Sequence, residues 1–400
     1  MPRSSGCGPA LRRVLQAPGG PRASGVLLIV ALSTAGTSGT PGTPALTGAP
    51  ELARVYEAIL DARFDAVPAL AARACPPAPG EACRLLDANA VWWRIQLDPY
   101  DTSRDGDFRT RVEGARAAAA AWTAREPARA EAWFYLAGAY GARAQWRVLR
   151  GERLAAARDG REIRHALERA VTLDPAMADA SFALGLYRYY ADVVPLALRI
   201  LRWMLLLPGG DREEGLRQML RARRAGLLAA GDADYQLHLV YLWYEKQPER
   251  ALGFLTDLAT RHPHNPHFRQ TIAEIQDFYL DDTPASLQTW EALLEAARRR
   301  EVARPDIAVA NARLGIASQL DQLSRGDAAL AHLHAVIAER PAAPYAVVAR
   351  AHLQLGETLD RLGRTTDAAA AYRAAIAAAP PDDPLRIAGR ARAALRAQPR

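Results

Sequence analysis

The sequence predicts an all-α chain built from successive helical hairpins, and three observations carry that prediction. Ala-, Leu-, Arg- and Glu-rich stretches dominate the 400 residues, whereas strand signals are scarce. Pro and Gly punctuate these stretches where helices would end. A spacing laid down between Ala349 and Pro380 recurs elsewhere in the chain. Half of the residues are hydrophobic, enough for a continuous core, and a repeat array can run this long as one elongated body.

The ruler is the run ARAHLQLGETLDRLGRTTDAAAAYRAAIAAAP. With Ala349 as position 1, the small residues Gly356, Ala368 and Ala375 stand at positions 8, 20 and 27. The larger Leu355, Leu359 and Tyr372 stand at 7, 11 and 24. Small residues let two antiparallel helices approach, and the larger ones fill the seam between them. Gly363 ends the first helix and Pro380 the second. The pattern resembles the tetratricopeptide (TPR) repeat, a helix-turn-helix unit of about 34 residues. That resemblance implies a right-handed helical-repeat solenoid and is silent about ligand.

Charge excludes less than it first suggests. The net charge is +7, but Arg3, Arg12, Arg13 and Arg22 precede any acidic residue and supply four of those charges. Lys246 is the only lysine, so the basic residues are almost all arginine, a compositional bias and no mark of phosphate binding. Arginines alternate with acids along most helices, as on solvated faces, and no nucleic-acid partner is expected.

Residues 1–35 read as a signal peptide: a basic segment, the apolar run Val26 to Leu32, then Ser33-Thr34-Ala35. Cys7 lies before the apolar run, out of place for lipidation. Residues 36–50 read as a disordered Gly/Thr/Pro-rich linker, and the chain is expected to be exported to the periplasm or cell envelope of a bacterium. Residues 51–128 form an N-terminal helical region. Its first helical stretch, Glu51 to Ala74, ends in a Pro/Gly-rich loop between Cys75 and Cys83, the spacing of a disulfide clasping a hairpin, with free buried thiols as the alternative. Two thiols without a nearby His are too few for zinc. Trp92 and Trp93 follow on the next helix, which stops at Asp98-Pro99, and both are expected in the core.

Residues 129–383 read as the TPR-like solenoid, irregular in its N-terminal half. Trp133, Leu136 and Tyr140 restart the ruler, but Ala170 and Pro175 arrive late, so the hairpin is lengthened or carries an insert near Gly141 to Gly160. Ala180, Leu184 and Gly185 restart it again. The run VVPLALRILRWMLLL over 193–207 is too short and, with Arg199 and Arg202, too charged to span a bilayer; it reads as a buried helix, or else as an interfacial helix on a membrane. Helix pairs are then expected over 235–263, with its turn at Lys246-Gln-Pro248, over 268–300, and around Gly315 with a turn at Gly326-Asp327. His262, His264 and His267 read as exposed loop histidines. Residues 384–400 form a polar, Arg-rich capping helix. The stretch from LGLYRYY through PGGDREEGL to His262-Pro263-His264-Asn265-Pro266 is similar to the tetratricopeptide-39 type, which implies an interaction protein without known chemistry.

Motifs that carry chemistry are missing. No HExxH, CxxC, GxSxG or P-loop pattern occurs, and Asp277, Asp281 and Asp282 read as helix-end residues beside Thr283-Pro284. No catalytic residue, metal or cofactor is expected. The TPR resemblance implies instead that positions 2, 5, 9, 12 and 13 of each first helix line a groove. Carried onto this sequence, that gives Phe134, then Phe182, Tyr189 and Tyr190, and finally Arg350, Leu353, Glu357, Asp360 and Arg361. The expectation is a non-enzymatic scaffold gripping an unknown protein or peptide. A peripheral membrane protein docking through 193–207 is the runner-up, and an enzyme subunit comes third.

Overall fold

The computed structural model describes residues 46–193, 211–226, 228 and 230–398. It holds seventeen α-helices and no strand among those residues. The residues read as a signal peptide, most of those read as a linker and nearly all of the 193–207 run lie outside them. Among the described residues no helix is long and apolar enough to cross a membrane.

The chain forms two compact units. One takes in the described parts of residues 46–94 and 103–246. It opens with α1 (Ala49–Leu60), α2 (Val67–Ala74) and α3 (Gly80–Gln96, whose last two residues belong to the other unit), then α4 (Asp105–Arg125), α5 (Ala130–Leu149), α6 (Arg153–Leu173), α7 (Ala178–Asp192), α8 (Arg212–Ala225) and α9 (Ala230–Leu239), which runs into a π turn, Val240–Tyr244. Residues 46–50, counted with the linker above, are packed: Leu46 and Ala49 are buried, and Thr47 donates to Glu131 through its amide at 2.8 Å and its hydroxyl at 3.0 Å. The expected helix from Glu51 to Ala74 breaks at residues 61–66, where Ala62 has positive φ, into α1 and α2.

Cys75 and Cys83 are joined by a disulfide. Trp92 and Trp93 are both core residues, and rings of Trp92, Phe108 and Trp146 sit about 6 Å from one another in sequence across three helices. The lengthened hairpin has no inserted element: α5 and α6 are 20 and 21 residues long and the turn between them is short. Asp159 on α6, 2% exposed, fastens them by accepting from Arg143 and Arg147 of α5 at 2.6 Å each. Between α7 and α8 the approach is backbone on backbone: a Cβ added to Gly215 would stand 2.6 Å from the Gly185 carbonyl oxygen and 2.8 Å from the Tyr189 nitrogen.

The other unit comprises Ile95–Thr102 with the chain from Gln247 onward. Its helices are α10 (Pro248–Arg261), α11 (Pro266–Phe278), α12 (Thr283–Arg298), α13 (Pro305–Gln322), α14 (Gly326–Glu339), α15 (Val347–Arg361), α16 (Thr365–Ala378) and α17 (Ile387–Ala397). Each packs on the next, and α15 also lies along α13 and α17. One apolar core runs through them from Trp290 and Leu294 past Leu314, Leu333 and Leu355 to Tyr372 and Ile387. The ruler's steric logic holds at Gly356, where a Cβ would stand 2.5 Å from the Tyr372 ring. Gly315 has the same relation to Trp290, which lies on the helix before it. Asp282 caps α12, its carboxylate accepting from the Ala285 amide at 3.0 Å. Helices α13, α15 and α17 are each entered through a residue of positive φ: Arg304, Ala346 and Arg386.

The three loop histidines are not uniformly exposed. Only His264 is; His262 is 1% exposed and packs its ring near Phe268, and burial pushes the His267 imidazole down to about 4. The short turn draws both against the head of α11, where Asn265 caps the helix by accepting from the His267 amide. Among the described residues no three His, Cys, Asp or Glu side chains are grouped to hold a metal.

Candidate functional site

The residues expected to line a groove fall into two environments. Phe134 is half-buried, its ring edge-on to Tyr135. Phe182 exposes 3% and Tyr189 none of its surface. The Tyr189 hydroxyl donates to Glu245, which also receives Arg212, and its ring meets those of Tyr190 and Tyr244 edge-on. Burial, with Glu245 second, raises the Tyr189 hydroxyl well above the ordinary tyrosine range, and burial does the same for Tyr190. Phe182 and Tyr189 are interior packing, whereas Phe134 and Tyr190 are half-buried. The close glycine crossing of α7 on α8 explains it, because it brings the Tyr189 backbone against Gly215 and carries that side of α7 inward.

Arg350, Glu357, Asp360 and Arg361 behave differently. All four stand on α15, the first helix of the ruler repeat; Leu353 beside them is core. The first three are half-buried and Arg361 is exposed. They belong to a polar seam linking the first helices of successive pairs. At one end Gln270 of α11 donates to Glu274 at 3.0 Å and accepts from Asn311 of α13 at 3.1 Å. Asn311 in turn accepts from Arg350 of α15 at 3.4 Å, and Gln354 donates to the Leu314 carbonyl at 3.1 Å. Further along, Asp277 accepts from Gln319 and Gln322, and Arg361 pairs with Asp321. At the far end Arg390 of α17 donates to Glu357 at 2.8 Å, while Asp360 accepts from Tyr372 and Gln398 at 2.7 Å each.

Electrostatics along the seam are set by burial more than by pairing. Desolvation raises the carboxyls of Glu274 and Glu357, although Gln270 and Arg390 respectively pull them the other way. Desolvation also lowers Arg350. Three polar residues here escaped sequence reasoning. Asp277 stands at the end of α11, as the sequence implies, but it is also buried and accepts from glutamines more than forty positions away. Asn311 and Gln319 are polar residues at otherwise apolar helix positions, a signal that was present and unused.

The segment Ile95–Thr102 belongs to the same unit. Its Leu97 and Asp98 are buried, and Asp98 accepts from the Tyr345 amide at 2.9 Å, just ahead of α15. The Tyr100 and Tyr345 rings are 6.3 Å apart.

No family model matches the sequence, and no curated protein matches it. Among solved structures the chain is similar to one in the crystal structure of the APC/C hetero-tetramer Cut9–Hcn1, with a TM-score of 0.39 and 12% identity over 79% of this chain and 56% of that one. It is also similar to a Rap protein complexed with competence and sporulation factor, with a TM-score of 0.42 and 11% identity over 87% of this chain and 96% of that one. The chain thus spans just over half the length of the first. The hairpins themselves, glycine against ring at Gly356 and Tyr372, make the fold an all-α, TPR-like helical repeat.

Proposed function

We propose that this chain is a non-enzymatic protein-interaction scaffold of the bacterial cell envelope, and that the face formed by α11, α13, α15 and α17 binds a peptide or protein segment. The polar seam carries the reading. Its half-buried members Gln270, Arg350, Gln354, Glu357 and Arg390 bridge successive helices and retain hydrogen-bonding capacity for an extended chain laid across them. The Cys75–Cys83 disulfide supports export, since such bonds persist in oxidising compartments.

A photo-crosslinking residue placed at Arg361, on this face, or at Arg373, exposed on the second helix of the same pair, tests it in native envelopes. A discrete adduct at position 361 and none at 373 is the expected result. Equal labelling at both positions, or none at either, would remove the face from consideration.

A further inference from the structure

We propose that the outer face of α6, with the α5–α6 turn at its tip, docks on an anionic membrane surface. The arginines of that face take lipid phosphates, while Val148, Leu149 and Leu154 enter the headgroup layer. This goes beyond the scaffold reading and does not depend on it.

Two features coincide at this hairpin. Among the described residues six large hydrophobic side chains are exposed, and three of them, Val148, Leu149 and Leu154, stand within seven positions around the turn that joins α5 to α6. Leu154, at 80%, is the most exposed of the six. Behind that tip Arg158, Arg161, His165 and Arg169 follow Leu154 at steps of four, three, four and four, which sets them on one face of the helix. All of them are exposed. Arg158 and Arg161 form no ion pair among the described residues. Of the acids bordering the row, Glu168 is engaged by Arg164 at 2.7 Å, which leaves Glu162 as one carboxylate beside three guanidinia. The row is also held in place from behind. On the opposite side of α6 Asp159 accepts from Arg143 and Arg147 of α5 at 2.6 Å each, so the helix cannot roll to hide its outer face.

The pairing of the two features selects the occupant. Exposed apolar side chains gain only from a partner that removes them from water, and a row of arginines gains only from negative charge. The edge of an anionic bilayer supplies both, with phosphates for the row and the acyl boundary for the tip. Nucleic acid offers phosphates but no apolar layer for Leu154. A second copy of the chain would bring an identical positive row against this one and be repelled.

The test uses the full chain and vesicles of phosphatidylcholine with or without phosphatidylglycerol, read by co-sedimentation. Leu154→Glu and, separately, Arg158→Glu with Arg161→Glu are each expected to weaken binding to the anionic vesicles about tenfold. Arg373→Glu with Arg392→Glu makes the same charge change at exposed positions of the other unit, and should leave binding within about twofold of the unaltered chain. Residues 1–35 and 193–207 are common to every variant, so the differences report the tip and the row alone. A second readout follows the tip directly: an environment-sensitive NBD label on Leu154→Cys, in a chain carrying Cys7→Ser, should shift to the blue on anionic vesicles, and the same label on Arg373→Cys should not. Equal binding to neutral and anionic vesicles, unchanged binding of both hairpin variants, or an equal loss in the control pair would overturn the proposal. So would a label at position 154 that stays unshifted, which would make the row a general polyanion surface. An adduct at position 361 would still uphold the scaffold in each of these cases.

Discussion

The two units handle polar groups differently. In the N-terminal unit Asp159 is sealed between Arg143 and Arg147 at 2% exposure, and Trp146 and Arg150 both donate to Asp105, so charge is sunk into the joints between long helices. In the C-terminal unit part of the seam stays half open: Glu357 and Arg390 keep 22% and 24% of their side-chain surfaces accessible, while the bridging Asp277, Asn311 and Gln319 are buried and are joined through amides instead of ion pairs. The difference separates locking from lending. A sealed ion pair fixes a hairpin and is unavailable to anything else, whereas a half-open seam can exchange its hydrogen bonds with a ligand at little cost.

That contrast can be broken by measurement. Asp159→Ala should be the most damaging change, about 3 kcal/mol, because it removes the buried acceptor shared by Arg143 and Arg147 and leaves them only the more exposed Glu113 and Glu152; chemical denaturation should show the loss confined to the N-terminal unit. Gly356→Ala comes next. Its Cβ would meet the Tyr372 ring, and overpacking of about 2 kcal/mol is partly offset by better helix propensity, so Tyr372→Leu in the same chain should restore most of the stability.

Acid gives a smaller, graded effect. Burial holds His267 neutral in the folded C-terminal unit down to about 4, while the unfolded imidazole takes up its proton near 6.5. The unfolded state therefore binds more protons between those values, and stability should decline as pH falls from 6.5 toward 4. His267→Gln should flatten that slope in pH-dependent melting curves. Glu357→Gln should matter least, under about 1 kcal/mol, since the half-exposed Arg390 loses a partner that burial already disfavours. A larger loss would mean that the seam locks after all.

Much of the C-terminal unit was legible because its spacing is local. Gly356, Gly363 and Tyr372 lie within one hairpin, and their sizes dictate how close two helices can come. Asp282 next to Thr283-Pro284 announced a helix start. What escaped reading depends on distant partners. Nothing near Asp98 signals that it will meet Tyr345, and nothing in LGLYRYY signals that Gly215 will turn Tyr189 inward. Position rules for a first helix assume a regular stack, and they fail where two glycines let neighbouring backbones touch. His262 and His267 were misplaced for a related reason: a turn rich in proline looks exposed, but this one folds against the head of α11.

The left-handed residues Arg304, Ala346 and Arg386 recur at intervals of roughly forty positions, always one step before a helix begins. The junctions at Ala346 and Arg386 are alike in φ, 54° in each, and close in ψ, 23° and 33°, which makes the stretch between them a transferable cassette. Duplicating residues 346–385 in tandem would start and finish on the same backbone conformation, and so should lengthen the array by one helix pair without disturbing those on either side.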